Sequence, residues 1–213
     1  MIRRVFNWAA ALILIGIVFP VMAEKTCSYS SYRWNTNSKQ AEDRETISKS
    51  YDNLSNEERD TPTGCTVCEE DQRWIRVGQL EPVRMCRVVA ERVESILNHV
   101  LASGFEINQL VAYRVGMTRG DTDGEGKRTQ FSNHSFGIAI DVNPASNGLY
   151  QGCIEFSDRC ILRRGGEWRP GKNPHSINAD GELVTAMKSA GFKWGGEIAG
   201  RQKDFMHFSP SGY

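Results

Sequence analysis

The sequence predicts an α+β domain in which an antiparallel sheet carries helices packed on one side. The first observation is an amphipathic segment at residues 82–103, where Val, Ile and Leu recur at helical spacing between a proline and a glycine. The second is a set of short β-branched or aromatic segments bounded by turn-forming residues, typical of strands. These segments lie at residues 110–115, 137–142, 192–196 and 205–208.

The first 23 residues have the pattern of a secretory signal peptide. Arg3 and Arg4 provide a basic start, residues 9–18 form an apolar run, and residues 21–23 offer a small-residue cleavage site. The alternative is a membrane anchor, but the apolar run is shorter than the roughly 20 residues that a spanning helix needs. We therefore expect export to the periplasm or the extracellular space, with no stable membrane insertion after cleavage.

The mature chain is close to neutral. Removing the signal takes 2 of the 26 basic side chains and leaves 24 against 26 acidic ones. This balance argues against a nucleic-acid partner, since such proteins carry a basic excess. Residues 24–72 are polar without a clear period and are interpreted as an irregular or flexible arm. Residues 73–213 are predicted to form the functional domain, with a loop-rich insertion at 143–177.

All six cysteines follow the predicted signal, and an even number in an exported chain indicates disulfides. Cys153 and Cys160 are predicted to pair within the insertion. The Cys65-x-x-Cys68 pair has three interpretations: half of a zinc site, a redox motif, or two structural half-cystines. We favour structural disulfides, with Cys86 bonded to either Cys65 or Cys68. A hairpin is expected within residues 161–170, with Gly165 and Gly166 at its middle.

The stretch from residue 132 to residue 141 concentrates the candidate chemistry. Residues 137–142 are predicted to form a strand, and alternate residues of a strand share a face. Gly137, Ala139 and Asp141 then point away from the core, so that two very small side chains leave open space beside a carboxylate. His134 lies just upstream, where the chain can fold over that space.

A second cluster near the C-terminus contains Asp204 and His207. His134, Asp141 and His207 together supply two imidazoles and one carboxylate, a ligand set of catalytic zinc sites. Asp204 is the candidate general base, provided that it lies at a turn entering the strand, because residues an odd number apart on a strand face opposite ways. The alternative is that these are ordinary core histidines and surface carboxylates.

Three motifs in order resemble the D-Ala-D-Ala peptidases with a hedgehog-like zinc fold, a family that includes D,D-carboxypeptidases, dipeptidases and L-alanyl-D-glutamate endopeptidases. The resemblance covers about residues 110–208, outside the arm and the insertion. Its motifs are Ser132-x-His134-x-x-Gly137-x-Ala139-x-Asp141, Trp194-Gly195-Gly196 and Asp204-Phe205-Met206-His207-Phe208.

The resemblance implies one zinc ion bound by His134, Asp141 and His207, with Asp204 as catalytic base. It also implies a substrate- or oxyanion-binding role for Arg114, although Ala112 replaces the glycine of the family's Gly-Tyr-Arg motif. Two other arginines compete for this role, Arg119 and Arg128. Phe205 stands where many relatives have proline.

Two functions from different classes follow. The first is an exported zinc peptidase, expected to be a monomer, that cleaves peptidoglycan stem peptides. The second is a binding module of the same fold that keeps the zinc without catalysis, and Asp204 distinguishes them because a binding module needs no base. A redox protein built on Cys65 and Cys68 is a third hypothesis, and it requires an exposed thiol of low pKa. The bond that is cut is not determined by these motifs.

Overall fold

The computed structural model describes residues 25–213. The signal peptide predicted at residues 1–23 lies outside this range. No helix within residues 25–213 is long and apolar enough to cross a membrane.

Short strands dominate the described residues, and two α-helices accompany them. The helices are α1 (Arg87–Ala102) and α2 (Glu182–Ser189). The strands are β1 (Thr26–Asn35), β2 (Gln40–Ser50), β3 (Arg59–Asp60), β4 (Cys65–Thr66), β5 (Gln72–Ile75), β6 (Val83–Cys86), β7 (Leu110–Val111), β8 (Met117–Thr122), β9 (Arg128–Phe131), β10 (Ile140–Val142), β11 (Leu149–Gln151), β12 (Ile161–Arg164), β13 (Lys193–Trp194), β14 (Gln202–Asp204) and β15 (His207–Ser209). This mixed content fits the predicted α+β class.

The strands form three main sheets with the orders β2-β1-β8-β9, β13-β15-β10-β7 and β12-β11-β14. Strand pairing in them is antiparallel, apart from one parallel contact between β1 and β8. Both α-helices bury their apolar faces in one core cluster with residues of β10, β13 and β15. A second cluster joins the N-terminal region to Val115, Phe136 and Ile138. The first cluster thus anchors the β13-β15-β10-β7 sheet, and the second packs around the segment that carries His134.

The N-terminal arm is ordered, so the prediction of an irregular segment is wrong. Residues 26–50 form the β1–β2 hairpin, in which Cys27, Tyr29 and Ser31 are buried on one face of β1. Most side chains of β2 are exposed or half-buried, which explains its polar sequence. The hairpin is held by long-range pairing to β8 and by the Cys27–Cys68 disulfide, neither of which has a local sequence signal.

Helix α1 begins five residues later than predicted. Residues 83–86 are strand β6, which pairs with β5, and the backbone N–H of Cys86 donates to the Gly137 carbonyl oxygen at 2.9 Å. This pairing overrides the helical pattern at the start of the segment. The end of the helix at Ala102 is one residue from the predicted end, and Gly104 adopts a positive φ of 102° two residues after the helix.

The cysteines form three disulfides, Cys27–Cys68, Cys65–Cys86 and Cys153–Cys160. The predicted pair in the insertion is confirmed, as is the pairing of Cys86 with one member of the Cys-x-x-Cys motif. Cys65 and Cys68 are buried and bonded to different partners. The redox hypothesis is therefore wrong, because it needs an exposed thiol.

The hairpin of the insertion differs from the prediction. Strand β12 pairs with β11 and not with residues 165–170. Strand β14, which ends at Asp204, pairs with the other edge of β11. The insertion thereby supplies two of the three strands in the sheet that holds Asp204.

The strand predicted at residues 137–142 is shorter than expected, because residues 133–136 form a 3-10 helix that ends at Gly137 in the left-handed region (φ 67°). A Cβ at Gly137 would overlap Oε1 of Gln72 and would lie 2.6 Å from the Cys86 nitrogen. The strand predicted at 110–115 is likewise confined to Leu110–Val111. Glycine at position 137 lets the turn that carries His134 pack closely against β6.

Replacing Gly137 with alanine is expected to lower the free energy of unfolding by about 2–4 kcal/mol, because left-handed backbone strain and overpacking add. Gly64→Ala is the matched control, since Gly64 also has a positive φ (74°) but has no atom within 4 Å of its Cβ position. It should lose only about 1–2 kcal/mol. Urea unfolding of both metal-free variants measures the difference, and equal losses would contradict the steric argument.

Candidate metal and catalytic centre

Three structural elements bring the predicted metal ligands together. His134 lies in the 3-10 helix, Asp141 on β10 and His207 on β15. Asp141 and His207 are directly opposed in the antiparallel ladder, so their side chains share one face of the sheet. The turn that carries His134 folds over this face, and the backbone N–H of Arg114 donates to the His134 carbonyl oxygen at 3.1 Å.

The three side chains form a compact buried cluster. Their exposed fractions are 3% for His134, 4% for Asp141 and 5% for His207, and their ligand atoms all lie within 4.8 Å of one another. Oδ1 of Asp141 lies 3.1 Å from Nε2 of His134 and 3.0 Å from Nδ1 of His207. Two imidazole nitrogens and a carboxylate oxygen therefore converge on one small volume.

The hydrogen bonds of His134 fit a bound cation. Its Nδ1 donates to the Ala112 carbonyl oxygen at 2.8 Å, which leaves Nε2 as the ring nitrogen that faces Asp141. Burial lowers the pKa of His134 below its usual value, even though the charge of Asp141 opposes this shift. A neutral imidazole with its proton on Nδ1 presents the Nε2 lone pair to a carboxylate oxygen, and a bound cation would be coordinated by both atoms. Donation of the second ring nitrogen to a carbonyl is typical of metal-binding histidines.

The other two groups of the cluster are polarised as an ion pair. Burial alone would raise the pKa of Asp141, but the two histidines hold it well below its usual value. Burial alone would lower the pKa of His207, but the hydrogen bond and charge of Asp141 raise it. A proton on His207 therefore competes with a metal ion for the same ligand atoms, so metal affinity should fall in acid.

Asp204 lies at the end of β14, and the turn at Phe205 and Met206 leads into β15 at His207. This is the position that the sequence required for Asp204 to share the side of the ligands. The approach of β14 depends on Gly195, where a Cβ would overlap the Asp204 carbonyl oxygen. The first glycine of the Trp-Gly-Gly motif thus makes room for the candidate base.

The carboxyl group of Asp204 is poised to exchange a proton. The residue is half-buried, but its Oδ1 is closed off from solvent and has no hydrogen-bond partner among the described residues. Burial raises the pKa of Asp204 to about 6, and the negative charge of Asp141 acts in the same direction, while His207, Arg164 and Arg114 oppose it. A carboxylate with this pKa is ionised at neutral pH and still binds a proton readily.

Arg114 is the arginine that reaches the cluster. Its Nη2 lies 3.7 Å from Oδ2 of Asp141, and its Nη1 donates to the Tyr32 hydroxyl at 3.4 Å. Its Nε is buried without a hydrogen-bond partner within residues 25–213. Of the two competing arginines, Arg128 donates to the Gly120 carbonyl oxygen, and Arg119 lies 5.8 Å above the Tyr213 ring. Neither forms a hydrogen bond or ion pair with Asp141.

Tyr32 is a site residue that the sequence interpretation missed, because it lies in the arm that we expected to be irregular. Its ring covers Gly116, where a Cβ would lie 2.5 Å from the ring Cζ. The alternation of Cys27, Tyr29 and Ser31 on β1 was the available signal for a strand here. The other two histidines do not join the cluster, since His99 pairs with Glu182 and His175 with Glu106.

Asn133, which precedes His134, is buried, and its side-chain amide is hydrogen-bonded. Its Nδ2 donates to the hydroxyl oxygens of Ser209 at 3.0 Å and Ser211 at 2.7 Å. These bonds tie the turn that carries His134 to the segment that follows His207. The amide is therefore part of the framework of the site.

Comparison with known proteins identifies one family. Residues 125–210 match the family described as D-alanyl-D-alanine carboxypeptidase. No curated protein and no solved structure matches the chain. The matched range contains His134, Asp141, Asp204 and His207 and runs through the segment that we interpreted as an insertion, whereas Arg114 precedes it. The match of residues 125–210 thus supports the D-alanyl-D-alanine carboxypeptidase family, which the three sequence motifs also indicated.

Proposed function

We propose that this protein is an exported zinc-dependent peptidase that hydrolyses peptide bonds in the stem peptides of peptidoglycan. The observation that carries the proposal is a buried cluster of two histidines and a carboxylate beside Asp204, whose Oδ1 has no hydrogen-bond partner among the described residues. Three disulfides support export, because such bonds persist in oxidising compartments. We further propose a hedgehog-like arrangement of the sheet and a monomeric state.

His134, Asp141 and His207 would hold the zinc ion through Nε2, a carboxylate oxygen and Nδ1. These donors match catalytic zinc sites, which have three protein ligands and one open position. Zinc at such a site acts as a Lewis acid toward a scissile carbonyl and acidifies water. The second nitrogen of His134 stays bonded to Ala112, which orients the ring toward the ion.

Asp204 moves the proton in this mechanism. Its carboxylate accepts a proton from the attacking water as the oxygen–carbon bond forms. When the carbon–nitrogen bond breaks, the same carboxyl group returns the proton to the leaving amine. A pKa of about 6 suits both steps near neutral pH, because the group is then ionised and is still a stronger base than an ordinary aspartate. The non-catalytic alternative, a zinc-containing module that only binds the cell wall, gives no reason for a carboxylate with this environment.

Arg114 would stabilise negative charge on the substrate. The guanidinium is a permanent cation with donors in a planar fork, and it is oriented by Tyr32 on one side and Asp141 on the other. From this position it can donate to the carbonyl oxygen that gains charge as water attacks.

Arg114→Lys is expected to lower kcat/KM by about tenfold or more, the effect of losing a hydrogen bond to a charged group, while zinc content stays unchanged. Lysine keeps the charge but cannot reproduce the fork. Arg119→Lys and Arg128→Lys are the matched controls, and both should retain the parent rate. A loss in either control with full activity in Arg114→Lys would transfer the role to that residue.

Defined muropeptides test the proposed function directly. The zinc-loaded protein is incubated with stem peptides, and the product masses identify the bond. Loss of one terminal D-alanine indicates a carboxypeptidase, and a cut between L-alanine and D-glutamate indicates an endopeptidase. Intact peptides that remain bound to a zinc-loaded protein would favour the binding module.

A further inference from the structure

Arg164 lies in the same sheet as the candidate base, two strands away, although the two residues are 40 positions apart in the sequence. Leu149 of β11 is paired with Arg164 of β12 on one side and with Asp204 of β14 on the other. Directly opposed residues of antiparallel strands share a face, so all three side chains project from the same side of this sheet. Two strand spacings separate Arg164 from Asp204, about 9–10 Å between backbones. A long arginine side chain can cover much of that distance.

The pairing of β12 with β11 is irregular next to Arg164. Leu149 pairs with Arg164 but Tyr150 pairs with Leu162, so β12 has one residue more than β11, Arg163. Such β-bulges redirect a neighbouring side chain and are enriched next to active sites. The bulge therefore gives Arg164 a direction that a regular strand would not.

The segment after β12 is also hydrogen-bonded to the turn that follows β10, the strand of Asp141. The backbone N–H of Gly166 donates to the Pro144 carbonyl oxygen at 2.9 Å, and Pro144 begins the turn that follows the strand of Asp141. A Cβ at Gly165 would overlap the Pro144 carbonyl oxygen, and a Cβ at Gly166 would overlap that of Ala145. The two glycines allow this close backbone contact, which sets the position of Arg164 relative to Asp141.

The Arg164 side chain is exposed and has no hydrogen bond or ion pair with any residue from 25 to 213. Its positive field nevertheless reaches Asp204, as does that of Arg114. Arg114 is oriented by Asp141 and Tyr32, whereas the donors of Arg164 are available to a ligand. An anion that binds next to Asp204 would meet them.

The proposed reaction places such an anion there. The candidate base returns its proton to the leaving nitrogen, and in a C-terminal residue this nitrogen is two covalent bonds from the carbon of the free carboxylate. That carboxylate must then lie close to Asp204, and a cation on the leaving-group side offsets the repulsion between the two negative groups. The planar fork of an arginine matches a carboxylate through two parallel hydrogen bonds.

We propose that Arg164 binds the free C-terminal carboxylate of the leaving residue and makes the site selective for peptides that end in a free acid. This inference rests on the proposed function and narrows it to a carboxypeptidase. The side chain is a specificity-determining contact on the leaving-group side, while Arg114 serves the carbonyl side.

The test compares two substrates on the zinc-loaded full chain: a stem peptide that ends in D-Ala-D-Ala, and the same peptide with a C-terminal amide. We expect Arg164→Gln to lower kcat/KM for the free acid by about 10- to 100-fold, mainly through KM, since a hydrogen bond to a charged group is lost. Hydrolysis of the amide should not change at a pH well above the pKa of Asp204, where that group is ionised in both proteins. Arg164→Lys should give a smaller loss, because it keeps the charge.

Arg163→Gln is the matched control, because it removes the same charge from the neighbouring residue of the same strand, and both substrates should be hydrolysed at the parent rate. Equal losses for acid and amide in Arg164→Gln, together with a shifted acid limb of the pH profile, would mean that Arg164 acts only on Asp204 and would overturn the assignment. Unchanged hydrolysis of the free acid would overturn it while leaving the proposed function intact. A parent protein that cleaves neither peptide would overturn both.

Discussion

Asp204→Asn should reduce hydrolysis of stem peptides by roughly two to four orders of magnitude while leaving the zinc content unchanged. General-base help is typically worth 10²–10⁴-fold, and asparagine keeps the size of the side chain without accepting a proton. The turn at Phe205 and Met206 and the pairing of β14 with β11 do not involve the carboxyl group, so the fold should persist.

The pH profile gives an independent readout of the same residue. Asp204 must be ionised to act as a base, so activity of the parent should fall as the pH decreases through the pKa of this group. That pKa is about 6 without a metal ion, and a bound dication would move it lower by favouring the ionised form. With zinc kept saturating at every pH, so that protonation of His207 does not remove the metal, the acid limb should be absent from the residual activity of Asp204→Asn.

Zinc content and hydrolysis measured on one preparation distinguish three roles for Asp204. A base loses activity and keeps zinc, a ligand loses both, and a surface carboxylate loses neither. Glu197→Gln is a suitable control, because Glu197 is an exposed carboxylate paired with Lys188 at 2.8 Å. A zinc-replete Asp204→Asn protein that hydrolyses at the parent rate would contradict the proposed mechanism.

His134→Ala and His207→Ala should each remove most of the zinc and abolish measurable hydrolysis. A zinc site with three protein ligands loses one third of its donors in either variant, and Asp141 loses a neighbour that holds its pKa low. Elemental analysis after dialysis measures the metal, and circular dichroism shows whether the variant is folded.

The control for these variants is His99→Ala, since His99 is exposed and pairs only with Glu182 among the described residues. It should retain one zinc ion per chain. Full zinc occupancy in a folded His134→Ala or His207→Ala protein would contradict the ligand assignment. Zinc loss in the His99 variant as well would indicate nonspecific binding.

The N-terminal hairpin shows where sequence interpretation fails. Residues 24–72 are polar, and polarity was taken to indicate an irregular arm. The chain instead forms β1 and β2, and the hydroxyl oxygen of Tyr32 on β1 accepts a hydrogen bond from Arg114 in the site. The alternation on β1 is a weak signal, and the contacts that fix the hairpin lie outside it: β1 pairs with β8, more than 80 residues away, and Cys27 is bonded to Cys68.

Helix α1 and strand β10 show a milder form of the same limit. The apolar pattern located both elements, but their boundaries moved by several residues. Cys86 is held in a strand by its hydrogen bond to the Gly137 carbonyl oxygen. Gly137 adopts a left-handed turn at a place where a side chain would have no space. Tertiary contacts of this kind outweigh local propensity, which differs by less than about 1 kcal/mol between most residues.

The sequence by itself determined which chemical groups the site contains, namely two histidines, two carboxylates and an arginine. It also indicated the family, because these residues lie in motifs of fixed spacing. Short-range patterns suffice for that, because side-chain type is written directly in the chain. Only the tertiary structure decided how the groups are used. The register of β10 against β15 places Asp141 opposite His207, the Ala112 carbonyl selects the ring nitrogen of His134 that faces the cluster, and β11 carries Arg164 to the side of Asp204. These relations join residues that are far apart in the chain, and their distances exist only once the sheets have packed.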